Sequence, residues 1–400
     1  MSEYRLDELC EILDSKRVPL SAMQRAKRKG PYPYYGAQSV IDHVDDYLLD
    51  GEYLLVAEDG ANLVTRTQDI ANLVNGKIWV NNHAHILGYN GKCPLRLLGF
   101  LLNNSNISPY VTGCAQPKLN QENLRRITFS LPEKVDEVSS ILSSLDSKIE
   151  NNRKICANLE AQAQALFKHW FIDFAPFQDG KFVESELGMI PEGWRVGTYS
   201  DIIKDTISGD WGKDSSVGNY NHKVACIRGC DFQDVKMGLR GKTPERFILE
   251  KNFQSKHFEN KDVLVEISGG TATVSTGRVC PVSQLLIDKY NGDVVCTNFC
   301  KLIRPIESYS SYLYYSWKYK YDRKVMFGYE NGTSGIKNFS IKDFTMREPL
   351  VLPTLTALNE FEGMIEHIHT QIQNCGSESS KLANIRDTLL PKLMSGEIKL

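Results

Sequence analysis

The longest regular feature of the chain is a seam of apolar residues spaced alternately three and four apart. It runs through Val135, Val138, Leu142, Leu145, Ile149, Asn152, Cys156, Leu159, Ala163, Leu166 and Trp170, eleven positions without a skip, of which only Asn152 is frankly polar. That spacing predicts a long amphipathic helix with a coiled-coil stripe. Adding 223 to each position gives a second, weaker seam: Leu358, Phe361, Ile365, Ile368, Ile372, Cys375, Ser379, Leu382, Arg386, Leu389 and Leu393. Gly376 and Ser377 are expected to loosen its middle, and Pro391 to end or kink its last turns. Two apolar stripes of equal length in one chain are most simply buried against each other. Roughly 35 residues at ~1.5 Å each would then make a rod on the order of 50 Å. Two core helices in separate domains are the bland alternative.

Outside the seams the pattern changes to short β-branched or aromatic runs between Gly, Asn and Asp turns, which predicts strands. Tyr53–Ala57, Lys77–Val80, Val263–Ile267 and Asp293–Thr297 are such runs, with Gly76, Gly88, Gly91, Gly218, Gly238 and Gly241 as punctuation. The second half of the chain also echoes the first. Tyr4-Arg5-Leu6 aligns with Trp194-Arg195-Val196, and Glu11-Ile12-Leu13 with Asp201-Ile202-Ile203, at an offset of 190. Asp50–Leu55 aligns with Asn260–Val265, followed by the tips Asp59-Gly60 and Gly269-Gly270. Leu131-Pro132 aligns with Leu352-Pro353, each ahead of a helical run. The drift in offset is that of loops changing length while elements persist.

Composition narrows the class. Four hundred residues suggest two domains or three, and 42% apolar with 24% charged residues is the balance of a soluble globular chain. A net charge of −2 excludes binding nucleic acid by bulk charge, so any such footprint must be local. Ten scattered cysteines, with no signal peptide in Met1–Cys10, are read as reduced thiols in a cytoplasmic protein. No run approaches the ~18 apolar residues of a membrane span.

Several segments resemble one family, the specificity subunit of type I restriction-modification systems. Leu159-Glu-Ala-Gln-Ala-Gln-Ala-Leu-Phe-Lys168, leading into Trp170-Phe171-Ile172-Asp173-Phe174, is similar to its central conserved region. Gly188-Met-Ile-Pro-Glu-Gly-Trp194 is similar to the start of its second recognition domain, and Leu389-Leu-Pro-Lys-Leu-Met-Ser-Gly396 to its distal conserved helix. Asn81-Asn82-His83-Ala84-His85-Ile86-Leu87 resembles a recurring segment of the first domain. The resemblance spans the whole chain in the family's order. It implies an α+β fold, with two β-rich α/β target-recognition domains in a pseudo-two-fold arrangement, separated by two long antiparallel coiled-coil helices. The expected boundaries are 1–132 for the first recognition domain, 133–174 for the central helix, 175–193 for a linker, 194–353 for the second recognition domain and 354–400 for the distal helix. It further implies that each domain reads one half of a split sequence in double-stranded DNA. The rod would set the spacer and dock two methyltransferase subunits, with restriction and translocase subunits joining them. S-adenosylmethionine, ATP and Mg would sit on those partners, and this chain would carry no cofactor and no membrane contact.

The residues offer local support. Arg25, Lys27, Arg28 and Lys29, followed by Tyr32, Tyr34 and Tyr35, form the best basic and aromatic patch. Cations can contact phosphates there, and tyrosines sugar or base edges. A solvated turn beside packed aromatics is the alternative reading. Trp211, Lys213 and Arg228 are the comparable candidates in the second half. The tips at Gly60 and at Gly269, Gly270 and Thr271 could bring backbone close to a phosphate. Asn82, His83 and Lys118, and in the second half Lys337 and Asn338, complete the candidate contacts. Because the two halves diverge in just these regions, an asymmetric target is expected.

Catalytic motifs are missing from the sequence: it holds no G-x-x-x-x-G-K-[S/T] loop, no Asn-Pro-Pro-aromatic run and no Pro-Asp…Asp/Glu-x-Lys constellation. A non-enzymatic recognition subunit is therefore expected, with a scaffold of two protein-binding globules on a coiled coil as the alternative. Cys226-x3-Cys230 and Cys296-x3-Cys300 approach zinc-site spacing. On strands, however, residues i and i+4 lie about 13 Å apart, so buried thiols and no metal are expected. His83 and His85, flanking Ala84 on an expected strand, should share one face.

Overall fold

The computed structural model describes residues 2–113, 115–271, 273–306, 308–332, 337–394 and 397–398; Ser395 and Gly396, at the end of the C-terminal motif, lie outside them. The chain folds as two compact units. Residues 1–147 with 382–400 form the first, and residues 148–381 the second.

The strands of unit 1 are β1 (Ser2–Arg5), β2 (Cys10–Ile12), β3 (Lys29–Tyr35), β4 (Val40–Val44), β5 (Leu49–Ala57), β6 (Ala71–Val80), β7 (Ala84–Tyr89) and β8 (Thr128–Leu131). β1 and β8 pair antiparallel, with Tyr4 opposite Phe129. The other six form one sheet in the order β2-β7-β5-β6-β3-β4, antiparallel except where β3 lies beside β6. β5 is its centre, and its period-2 pattern feeds two cores. Leu54 and Val56 join the apolar face of the helix Leu95–Asn104, while Leu55 packs with Val74, Ile78 and Ile86 on the other side.

Unit 2 carries β9 (Phe182–Ser185), β10 (Gly188–Pro191), β11 (Arg195–Thr198), β12 (Ile203–Ser208), β13 (Tyr220–Ile227), β14 (Glu245–Leu249), β15 (Val263–Glu266), β16 (Ser268–Gly269), β17 (Val279–Pro281), β18 (Val294–Cys296), β19 (Cys300–Pro305), β20 (Glu330–Asn331), β21 (Lys337–Phe339) and β22 (Pro349–Leu352). The expected linker 175–193 contains a hairpin, β9 against β10. β12-β19-β15-β17 form an antiparallel sheet, β14-β13-β18 a mixed one in which β18 runs parallel to β13, and β16-β21-β20 an antiparallel third. The aromatic-rich helix Ser310–Asp322 covers the first sheet, burying Tyr312, Leu313, Tyr315 and Trp317 with Val263, Val265 and Ile303.

The two units share a framework, and its register differs from the offset expected from the sequence. β2-β7-β5-β6 and β12-β19-β15-β17 share strand order and antiparallel sense. In each, a terminal strand pair (β1 with β8, β11 with β22) precedes a long helix. At the amino ends, however, the backbone N–H of Arg5 donates to Glu8 Oε2 and that of Thr198 to Asp201 Oδ2, both at 2.7 Å. These equivalent turns set the offset at 198 − 5 = 193, not 190; the aligned Arg5 and Arg195 share identity without sharing position. Gly88 is also no punctuation: it lies inside β7, where an added Cβ would stand 3.1 Å from Leu13 Cδ1.

The two long helices, Val135–Phe171 and Leu355–Met394, each belong in part to both units. In unit 1, Val138 and Leu142 of the first share a core with Leu390 and Leu393 of the second, and Arg386 Nη1 donates to Asp146 Oδ1 at 2.8 Å. In unit 2, Asn152 Nδ2 donates to Glu378 Oε2 at 2.8 Å and Ser379 Oγ at 3.3 Å, and Phe167 packs on Phe361. Within each unit the paired segments run in opposite directions. The two polar seam positions Asn152 and Ser379 thus meet each other, as register-setting polar groups do. Leu145, Ile149, Leu159, Leu166, Ile368, Leu382 and Leu389 are half-buried. Toward its end the first helix drifts off the heptad: Phe167 and Phe171 are buried instead of Leu166 and Trp170, since 3.6 residues per turn outruns a 3.5 repeat.

Pro391 lies in the last turn of the second helix, which ends at Met394, with Leu390 and Leu393 in the unit 1 core. One expectation about this helix is overturned: Gly376 does not loosen it. A Cβ there would run into the backbone of Met237 and Gly238, so glycine permits a loop to lie directly on the helix. Cys156 Sγ lies 3.9 Å from Met237 O at the same point. Gly376→Ala is therefore expected to destabilise unit 2 by about 1–3 kcal/mol, the cost of overpacking, despite a helix-propensity gain of about 1 kcal/mol. Denaturant unfolding reads the sign, and a stabilised variant would restore the loosening role.

Candidate nucleic-acid interface

The basic patch of unit 1 is assembled but largely neutralised. Arg25 stands on the short helix Ala22–Lys27, whose first turn is fixed by a Ser21/Gln24 capping box. Its Nε donates to Asp42 Oδ2 at 3.2 Å, and its guanidinium lies 5.2 Å from the Tyr34 ring centre. Lys29 Nζ meets Asp42 Oδ1 at 2.5 Å, and Arg28 Nε meets Asp45 Oδ1 at 2.8 Å. The Lys29 hydrogen bond, with others from the His43 N–H and Arg25, pulls the Asp42 carboxyl down to about 2. Lys27 is exposed. Tyr32 packs against Tyr47 with the rings tilted by 60° and Lys77 over both, and burial pushes the half-buried Tyr35 hydroxyl up. Tyr34 is a correction: at 1% exposure, with its hydroxyl accepting from the Leu20 N–H, it supports the patch from within rather than facing a ligand.

A second group converges although its members are scattered in sequence. The tip at Gly60, the turn Asn82-His83 and the segment at Lys118 gather where β5 ends and β7 begins. Lys118 and Asp59 form an antiparallel bridge, and His83 Nδ1 lies 2.7 Å from Asp59 Oδ2. Asn82 and His83 are exposed. Gly60 differs from expectation, because its N–H already donates to Pro117 O at 3.1 Å, so a phosphate would have to displace that bond. Nor do the two histidines share a face. The Asn81 side chain accepts the His83 N–H at 2.8 Å and turns the chain before β7 starts at Ala84, leaving His83 outside and His85 buried.

Beneath these residues lies a charged layer that the sequence did not announce. His85 Nδ1 lies 2.6 Å from Asp14 Oδ2, and its Nε2 2.7 Å from Leu119 O. Arg17 Nη1 donates to Glu58 Oε2 at 2.5 Å and to Ala84 O at 3.1 Å. Burial pushes the Asp14 and Glu58 carboxyls up. Hydrogen bonds to His85 and the Ile86 N–H at Asp14, and to Arg17 and Lys118 at Glu58, outweigh it and leave both below the usual range. Arg17 and Glu58 are 41 residues apart, so no local spacing signals the pair.

In unit 2 the candidates fall into two places. Trp211 is covered by Arg246, whose guanidinium lies 4.2 Å from the ring centre and whose Nε donates to Trp211 O at 2.8 Å. Lys213 is exposed beside Tyr220, whereas Arg228 is locked onto Asp231 through two bonds of 3.0 and 2.9 Å. The glycine tip and the Lys337-Asn338 pair, distant in sequence, come together. β16 and β21 put Gly269 opposite Lys337 and Ser268 opposite Asn338, with the Ser268 hydroxyl bonded to Asn338 Oδ1. Gly269 and Gly270 adopt φ values of +135° and +78°, which explains glycine there, and Thr271 is exposed.

Three of the four cysteines in the two pairs lie in the unit 2 core; Cys230 is exposed, contrary to the expectation of buried thiols. Cys226 and Cys296 stand on the adjacent parallel strands β13 and β18, with Cys300 on β19. Burial pushes the Cys226 thiol up to about 12 and the other two higher still. Among the described residues no three His, Cys, Asp or Glu side chains are grouped to hold a metal ion.

Residues 1–161 match the family described as type I restriction modification DNA specificity domain. Over 315 residues the chain is 26% identical to the type I restriction enzyme MjaIX specificity subunit of Methanocaldococcus jannaschii, spanning 76% of this chain and 68% of that one. Over 456 aligned positions it is 23% identical to the type I restriction enzyme HindI specificity subunit of Haemophilus influenzae, spanning 97% and 91%. The crystal structure of a type I restriction-modification system S subunit from M. genitalium superposes with a TM-score of 0.51 at 15% identity, over 98% of this chain and 95% of that one. That superposition shows a shared fold.

Proposed function

Because the chain belongs to the specificity subunits of type I restriction-modification systems, the non-catalytic components that supply DNA sequence specificity, we propose that its two units each read one half of a split, asymmetric target. The observation that carries this reading is the pair of framework sheets, β2-β7-β5-β6 and β12-β19-β15-β17, alike in order while their candidate contact residues differ. Two identical readers would suit a palindrome, and two divergent ones suit unlike half-sites. The long helices, paired in opposite directions within each unit, would act as one antiparallel rod that sets the spacer and docks two methyltransferase subunits. Restriction and translocase subunits would complete the assembly. S-adenosylmethionine, ATP and Mg would be held by those partners, and the assembly would work in the cytoplasm, where its DNA is. No helix among the described residues is long and apolar enough to cross a membrane.

Exchanging residues 1–132 for those of a relative tests the proposal through the methylated sequence in cells that carry the methyltransferase partner. One half of the sequence should change while the other half and the spacer stay. A change in both halves, or in neither, would overturn the two-reader arrangement. The scaffold alternative differs in one cheap measurement, because a DNA reader must also contact phosphates, which predicts affinity for duplex DNA that falls steeply with salt.

A further inference from the structure

Lys118 and Lys337 occupy the same place in the two units. Each lies on a short extended segment that pairs antiparallel with a residue just beyond the central framework strand. Asp59, two residues past the end of β5, faces Lys118; Gly269, three past the end of β15, faces Lys337. Each segment then runs into a short helix, Gln121–Arg126 or Ile341–Arg347, and the terminal strand. In both units the ammonium ends on a carboxylate: Lys118 Nζ on Glu58 Oε1 at 3.0 Å, Lys337 Nζ on Glu330 Oε2 at 2.9 Å.

The two carboxylates do not correspond to each other. Glu58 directly follows β5, whereas Glu330 comes from β20, on the other side of Lys337. The same latch has therefore been reached twice by different residues, which descent from a common repeat alone does not explain. Each carboxylate is itself fixed. Glu58, 12% exposed, is held by Arg17; Glu330, 5% exposed, accepts from the Thr276 N–H at 2.6 Å and its hydroxyl at 2.9 Å. The lysines keep 51% and 30% of their side-chain exposure. Neither lysine needs a carboxylate to be tolerated where it stands, since both ends reach solvent, and a carboxylate beside a phosphate-binding surface weakens affinity by repulsion. Restricting a rotamer-rich lysine stem to one direction is what it does provide.

We infer that Glu58 and Glu330 are positioning residues that aim Lys118 and Lys337, one for each half-site, and so exchange non-specific affinity for sequence discrimination. This rests on the DNA-reading assignment above. A free ammonium can follow any phosphate. One held on a carboxylate offers its remaining donors in a fixed direction, which favours one arrangement of base edge or phosphate.

The test uses the full chain assembled with its methyltransferase subunits. Glu58→Gln should raise affinity for non-cognate duplex and steepen its salt dependence by up to about one counterion, since Lys118 becomes free to neutralise a phosphate. The ratio of cognate to non-cognate affinity should fall by roughly tenfold. Methylome sequencing should show relaxed bases only in the half assigned to residues 1–132, and Glu330→Gln should relax only the other half. A purely structural role would lower the unfolding temperature and both affinities together, leaving their ratio unchanged, and that result overturns the inference. So does relaxation of both halves by either variant. If Glu58→Gln does not fold, Lys118→Met decides: Glu58 keeps Arg17, and the discrimination ratio should still fall at that half alone. An unchanged ratio overturns the inference. Failure of the unaltered assembly to prefer any sequence would instead remove the DNA-reading assignment itself.

Discussion

Truncating Phe361 to alanine should cost unit 2 about 3–5 kcal/mol, the range for deleting a large aromatic from a filled core. The side chain is 0% exposed and has four rings around it: Phe167 at 6.2 Å, Trp170 at 6.4 Å, Phe171 at 4.9 Å and Tyr315 at 6.2 Å between centroids. Three of those come from the first long helix and one from the helix Ser310–Asp322, so a single residue joins both long helices to the sheet-covering layer. Edge-to-face contacts such as that with Phe171 add about 0.5–1.5 kcal/mol beyond buried area. Phe361→Leu, which retains most of the volume, should lose far less. Tryptophan fluorescence during urea unfolding is the suitable readout, because Trp170, Trp194, Trp211 and Trp317 all lie in unit 2. A loss below about 1 kcal/mol for the alanine variant would mean that the aromatic cluster does not hold the helices.

That cluster also marks how far sequence periodicity reaches. A heptad seam is a local property, so both helices, and the partners along most of their length, are legible from spacing alone. Positions where a helix meets something other than its partner are not. Phe167 and Phe171 take over from Leu166 and Trp170 once the helix has drifted off the heptad, and they pack there into the wider unit 2 core. Gly376 reads as a flexible interruption until the loop at Met237 and Gly238 is seen on top of it. Arg386 reads as a flaw in the stripe until Asp146 and the Phe100 ring are found beside it.

The candidate interface divides in the same way. The match of Asp59-Gly60 with Gly269-Gly270 was visible in the sequence, and the structure gives it meaning, since Asp59 and Gly269 are the residues opposite Lys118 and Lys337. The acids that neutralise or aim the cations were not visible. Asp42, Glu58 and Glu330 act through pairings set by strand register and turns, so a count of basic residues in a window overstates the charge left for DNA. Tyr34 is buried between two tyrosines that keep some exposure, and simple alternation, which puts Tyr32 and Tyr34 on one face, does not separate them in a strand whose register shifts twice.

Arg304→Ala should be the most damaging single change on the charged side of unit 2, at about 3–5 kcal/mol near neutral pH, because it leaves a buried carboxylate without its cation. Asp262 is 1% exposed, and the guanidinium of Arg304 reaches both its oxygens at 3.1 Å. Burial pushes the Asp262 carboxyl up, and the Arg304 hydrogen bonds and charge only partly offset it. Removing Arg304 raises it further. A group whose folded pKa lies above its unfolded value stabilises the fold while protonated and loses that contribution as pH rises through the folded pKa. The deficit of Arg304→Ala against the unaltered chain should therefore be greatest at neutral pH and shrink as pH falls through the carboxylate range. Asp262→Asn placed in the Arg304→Ala background removes the buried charge while its side-chain oxygen can still accept the Glu259 N–H, and it should recover more than half of the loss. Denaturant midpoints at several pH values measure both effects. A deficit that is flat with pH, or no recovery in the double variant, would show that Arg304 acts through its bonds to Glu259 and the His257 carbonyl rather than by neutralising Asp262.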